Sequence, residues 1–172
     1  MEGKKSLKKN FVIISKRHKG IKMKRVLLLL SLSISLWANS VYVKTFDQPM
    51  TEVYAKLLTS FDNTHLVVVS EINILEKFKA VGLPKKFGKN FNTNELTGIK
   101  AIIACNGWFG NEVANADPMM MGFCPIRVTV VEKDGKTSVL FVRSSVAPKE
   151  SPAYPILEKL ESKVITAIEA IK

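Results

Sequence analysis

The residues with the most chemical promise fall in two short stretches, ACNGWFGN (Ala104 to Asn111) and ADPMMMGFCP (Ala116 to Pro125). They hold both cysteines of the chain, Cys105 and Cys124, the run Met119, Met120 and Met121, the carboxylate Asp117, and the aromatics Trp108 and Phe109. Thiolate and thioether are soft donors that select Cu(I), so Cys105 and Cys124 with Met121 make a coherent copper ligand set. The same two thiols, 19 positions apart, can instead close a disulfide, worth about 3 kcal/mol on the chain-entropy account. Three consecutive methionines cannot all face one ion, and Met is an adaptable filler of cores and interfaces. A disulfide beside an apolar wall is therefore the expectation, and copper the alternative.

Catalytic arrangements are short of parts. The chain has two histidines, His18 and His65, and only His65 lies beyond the basic leader described below. A Ser-His-Asp or Cys-His pairing would have to use it, and at the start of a strand it reads as solvated. Asp117 with Glu112 could supply paired carboxylates, but an Asp before Pro118 is more simply a turn or cap residue. No histidine near the methionines completes a blue-copper set, and no Cys-x-x-Cys-His run attaches haem. We expect no catalytic residue, and no cofactor beyond the copper alternative. Lys85, Lys86 and Lys89 interleave with Phe87 and Phe91, either as an anion-binding or docking surface or as a solvated face.

Charge is unevenly placed. Of 26 Lys and Arg, 10 lie between Lys4 and Arg25, against the single acid Glu2. Beyond Ser40 the balance is 16 basic to 14 acidic residues, a formal +2, so the overall +11 carries no nucleic-acid argument. The apolar run VLLLLSLSISLW follows Arg25 and ends at ANS. A positive n-region, a short h-region and small residues for the peptidase make a secretory signal, cut near Ala38 or Ser40. The run is shorter than the roughly 20 residues of a membrane span, so no stable membrane anchor is expected after cleavage. Met23 opens a complete signal by itself, and residues 1–22 read as an upstream extension. Bacterial export to the periplasm or the medium follows, into an oxidising compartment that favours the disulfide.

Positioning the two stretches falls to a single α+β domain over residues 41–172. Val41 to Phe46 alternates as a first strand. Met50, Val53, Tyr54, Leu57, Leu58 and Phe61 share one helix face, with Asp47 and Pro49 at its start and Asn63 as a left-handed stop. His65 to Ile74 reads as a strand, LEKFKAVGLPKKFG as a short helix broken at Gly82 and Pro84, and Gly98 to Asn106 as a strand central in the sheet. WFGNEVANA is a short helix ending before Asp117 and Pro118. Ile126 to Glu132 and Thr137 to Ser144 are strands joined at an Asp134-Gly135 hairpin. Ile156 to Ile171 repeats with helical period behind Pro155. This order predicts a mostly antiparallel sheet of about five strands, covered on one face by two long helices.

Ala104-Cys105-Asn106, Ala116-Asp117-Pro118 and Pro125 ahead of Val128 and Val130 resemble the bacterial domain-of-unknown-function family 302, over nearly the whole chain beyond the leader. The resemblance implies a small α+β domain with a TATA-binding-protein-like arrangement, often dimeric, and brings no established activity. Gly107 stands where the family commonly has proline. Ile126 stands where many members place a second cysteine, which here is Cys124, two positions earlier. In an extended segment a shift of two keeps a side chain on the same face, so pairing with Cys105 stays open.

The expected function is an exported, non-enzymatic module that binds a small ligand or a periplasmic protein, with a homodimer among its partners and no nucleic acid. Its expected surface is an apolar cleft or dimer face carried by Asn106, Trp108, Phe109, Asp117 and Met119 to Met121, held in shape by a Cys105–Cys124 bridge. The alternative, from a different class, is a thiol redox or Cu(I)-handling protein using the same sulfurs.

Overall fold

The computed structural model describes residues 40–172. The expected leader, with its start at Met23 and its cut near Ala38 or Ser40, lies outside the described residues apart from Ser40 itself. In chain order the elements are β1 (Val41–Phe46), α1 (Met50–Asn63), β2 (Val67–Asn73), α2 (Ile74–Ala80), α3 (Leu83–Phe87), β3 (Gly98–Cys105), α4 (Gly107–Ala116), β4 (Ile126–Lys133), β5 (Lys136–Val142) and α5 (Tyr154–Glu169). Short 3-10 turns cover Gly88–Asn90, Pro118–Phe123 and Ser144–Val146. Among the described residues no helix is long and apolar enough to cross a membrane.

All five strands join one sheet in the order β1-β5-β4-β3-β2, with every neighbouring pair antiparallel. The centre is β4, and β3 lies one place from the edge, because the last strand returns to pair with the first. At the β4–β5 hairpin Asp134 and Gly135 have φ of 52° and 72°, the two left-handed residues that a type I′ turn demands.

One face of this sheet is covered by the two long helices. Val53, Leu57 and Phe61 of α1 and Leu157, Val164 and Ile168 of α5 are fully buried against Ile102, Val128, Val130 and Val139. Each such side chain contributes about 2 kcal/mol of burial, so the spacing of these residues, rather than helix propensity, holds α1 and α5 in place. The Ser60 hydroxyl donates to the Ala167 carbonyl at 2.6 Å, tying the two helices together. Glu161 points inward from α5, where it accepts from Arg143 at 2.9 Å and from the Ser145 amide at 2.7 Å.

Two helix-end details differ from the sequence reading. Asp47 does not cap α1. It pairs with Lys136 at 2.6 Å, and Pro49 occupies the cap position without a side-chain bond. The left-handed stop is His65, with φ of 57°, rather than Asn63, which delays β2 until Val67.

The opposite face carries only α2 and α3, over Ile99 at the β2–β3 side, and elsewhere mixes exposed apolar residues with polar ones such as Thr45 and Arg127. Val41, Val43 and Val142 are exposed toward one edge, and Val67, Val69 and Ile72 toward the other. The register of β2 on β3 shifts between Val68 and Ser70, leaving Val69 as a bulge.

Candidate functional site

The first of the two chemically promising stretches begins where β3 stops. Asn106 is the N-cap of α4: its Oδ1 accepts from the Phe109 amide at 3.2 Å, and its Nδ2 donates to the His65 carbonyl at 2.9 Å. Both ends of the side chain are thereby engaged in the chain's own backbone. Gly107 to Gly110 form the first turn of α4 rather than a loop, which sends the two aromatics different ways. Trp108 is 73 % exposed, while Phe109 packs against the core.

The second stretch is a 3-10 turn. Asp117 caps it, with Oδ1 accepting from the Met119 amide at 3.1 Å and Oδ2 from the Ser151 hydroxyl at 2.6 Å. With three residues per turn, successive methionines diverge. Met119 is 81 % exposed, Met121 is exposed, and Met120 packs on the core. The expected wall of Trp108, Phe109, Met119, Met120 and Met121 therefore does not form as one surface.

Cys105 and Cys124 are free thiols in the structure, where the sequence led us to expect a bridge. Cys124 follows the 3-10 turn, its amide donating to the Met121 carbonyl at 3.0 Å. Cys124 itself has extended backbone, with φ of −129° and ψ of 124°. Cys124 is buried in the core, and Cys105 is half-buried with its Sγ beside Gly110. Burial, followed by the neighbouring Cys105 charge, pushes the Cys124 thiol above its ordinary pKa. Among the described residues no group of three or more His, Cys, Asp or Glu is placed to hold a metal ion. A Cu(I) ion would have to rely on the two thiols with Met121, one turn before Cys124.

A cavity of about 310 Å³ lies elsewhere, in the excursion between β2 and β3. Its apolar walls are Leu75 and Phe78 from α2, Leu83 and Phe87 from α3, Phe91, and Ile99 of β3, with Asn90 and Asn92 beside them. The local sequence explains the shape. Asn73 caps α2 by accepting from the Glu76 amide at 3.2 Å, which sets Leu75 and Phe78 one turn apart on the same side. Gly82, at φ of 77°, supplies the left-handed residue that reverses the chain into α3. Asn92 locks the return: its Nδ2 donates to the Leu96 carbonyl at 2.9 Å and its Oδ1 accepts from the Leu96 amide at 3.1 Å. Leu75, 4 % exposed, is the floor, while Phe78 and Phe87 stand exposed at the mouth. The sequence showed these phenylalanines only as part of a Lys/Phe surface, since the walls come from separate segments that meet only in the fold.

The DUF302 profile, a domain of unknown function, matches residues 42–171. The chain belongs to the DUF302 family. Its fold is similar to the crystal structure of an uncharacterized conserved DUF302 protein from Bacillus stearothermophilus, with a TM-score of 0.67 at 18% identity, over 78% of this chain and 99% of that one. Comparison with curated proteins finds no match.

Positive charge on this DUF302 domain is concentrated in the segment that builds the cavity. Residues 74–100 carry six lysines, Lys77, Lys79, Lys85, Lys86, Lys89 and Lys100, against Glu76 and Glu95. That is +4 in a region whose remainder, within 41–172, sums to −2. Two of the six are engaged elsewhere, Lys79 with Glu76 at 2.9 Å and Lys100 over the Tyr54 ring at 4.5 Å. Lys86 stands 5.8 Å from the centre of the Phe87 ring at the cavity wall.

Proposed function

We propose that this DUF302 domain is an exported, non-enzymatic binding module whose ligand enters the cavity between α2, α3 and β3. The observation that carries the reading is the cavity itself: about 310 Å³, within the usual range for small-molecule sites, walled by apolar side chains with few polar groups. Asn106 and Asp117, the polar residues of greatest sequence promise, support it from the other side, because each is occupied in bonds to its own chain. The basic leader with its short apolar run supports export.

Binding of Nile red, an uncharged dye whose emission shifts to the blue in apolar sites, tests this. We expect a blue-shifted, saturable signal that Phe78→Asp and Phe87→Asp each abolish while the thermal melt stays within a few degrees. A signal that both variants leave intact would place the ligand elsewhere.

A second reading rests on Cys105 lying near enough to Cys124 to add to the burial that raises the Cys124 thiol. In an oxidising compartment the pair Cys105 and Cys124 closes to a disulfide, and in a copper-rich one it holds Cu(I) with Met121. The exposed valines Val41, Val43 and Val142 at the β1 side of the sheet support a homodimer as the partner in either case.

A further inference from the structure

We infer that the cavity takes a single-chain carboxylic amphiphile of the fatty-acid type, with the hydrocarbon tail between α2, α3 and β3 and the carboxylate on the side of Lys86, beside Phe87. The inference rests on the binding-module reading above and adds the ligand's class to it. The floor and most of the wall suit an apolar group: Leu75 is 4 % exposed, and of the two polar lining residues, Asn90 and Asn92, Asn92 has its amide committed to Leu96. The size, about 310 Å³, is near the lower end for ligand sites, which suits a slender chain better than a fused ring system.

The mouth is where charge decides. Lys86 stands 5.8 Å from the centre of the Phe87 ring, Lys85 and Lys89 are its near neighbours in the sequence, and no salt bridge is formed by any of the three among the described residues. An anion held there gains from several cations at once, a neutral head gains nothing from them, and a cation is repelled. Exposed phenyl rings rimmed by lysines could also rest on an anionic membrane. The recessed floor argues against that, because a flat lipid surface meets Phe78 and Phe87 but leaves the space above Leu75 and Ile99 unfilled.

The test is displacement of Nile red from the full chain at neutral pH by decanoate, decanol or decyltrimethylammonium, each kept below its micelle concentration. Decanoate is expected to displace at about tenfold lower concentration than decanol, roughly the effect of a few exposed charges acting together. Decyltrimethylammonium should be weakest, and added salt should narrow the gap. Combining Lys86→Glu with Lys89→Glu should remove the decanoate advantage while changing decanol far less, which also controls for anything the leader binds. Equal displacement by decanoate and decanol, or an advantage that the lysine variants preserve, overturns the carboxylate assignment and leaves the binding module standing. Capture by anionic phosphatidylglycerol vesicles with no displacement by decanoate overturns it in favour of a membrane surface. A chain that never binds Nile red sinks the underlying reading itself.

Discussion

The amide of Asn106 joins two places 41 positions apart, donating to the His65 carbonyl at 2.9 Å while accepting from the Phe109 amide at 3.2 Å. One side chain thus fixes the turn before β2 and the start of α4 together. Asn106→Ala should cost about 2 kcal/mol, from a lost cap and two unpaired backbone groups. Asn106→Asp keeps the cap acceptor and should cost about half as much. Urea denaturation separates the two; identical losses would mean that the His65 bond alone matters.

Alkaline pH should loosen the sheet's attachment to its helices. Tyr42 donates to Glu169, and burial, then that bond, pushes its phenol from the ordinary 10.0 up to about 12. Tyr54 donates to Glu71 at 2.6 Å and is raised further, again mainly by burial. Both folded-state pKa values lie above the unfolded one, so the stabilisation is complete below pH about 10 and lost as pH rises through the folded values. Stability measured against pH should fall in that window along with the appearance of phenolate absorbance, and Tyr42→Phe should flatten the part of the fall that ends near 12.

The two thiols should react in a fixed order. Cys124 is buried and its pKa is raised by that burial, while Cys105 is half-buried. Thiolate is the reactive form, so iodoacetamide should label Cys105 first at neutral pH. Mass spectrometry of tryptic peptides reads the order. In material recovered from an oxidising compartment, a two-dalton loss reversed by reductant would show the bridge of the second reading. Copper retained on free thiols would show its alternative.

Self-association is expected through the part of the second sheet face that α2 and α3 leave open, where Val41, Val43 and Val142 are exposed. The part left open, β1, β5 and β4, is three strands at ~4.8 Å by about seven residues at ~3.3 Å, or about 330 Å² on each copy, the size of a weak, transient contact. Sedimentation should show a dimer at micromolar concentration that Val43→Lys combined with Val142→Lys converts to monomer without unfolding. A wild-type monomer at that concentration removes the dimer from the proposal.

Periodicity made the scaffold readable. Met50, Val53, Leu57 and Phe61 could only be one helix face, and the Asp134-Gly135 pair could only be a tight hairpin, because a local rule ties residue type to backbone shape in both cases. The candidate site was harder for the same reason. Pro118 to Phe123 has no periodic signature, so a 3-10 turn that splays Met119 and Met121 outward was invisible, as was its effect on the approach of Cys124 to Cys105. The cavity joins Leu75, Phe78, Phe87 and Ile99 across two left-handed glycines, Gly82 and Gly88. No short-range pattern records that their side chains converge.

The irregularity at Val69 also governs what the sheet can grow into. A strand whose spacing is interrupted offers a poor template for another chain, whereas β1 pairs with β5 in unbroken register along its length. Such a sheet has one clean border and one blunted border. A second copy can add along β1 once, a contact separate from the sheet-face dimer, and among the described residues no other border offers an equal template. Fibre formation needs a free template at both ends, so lateral growth stops at two, and the bulge acts as a built-in guard against amyloid-like stacking.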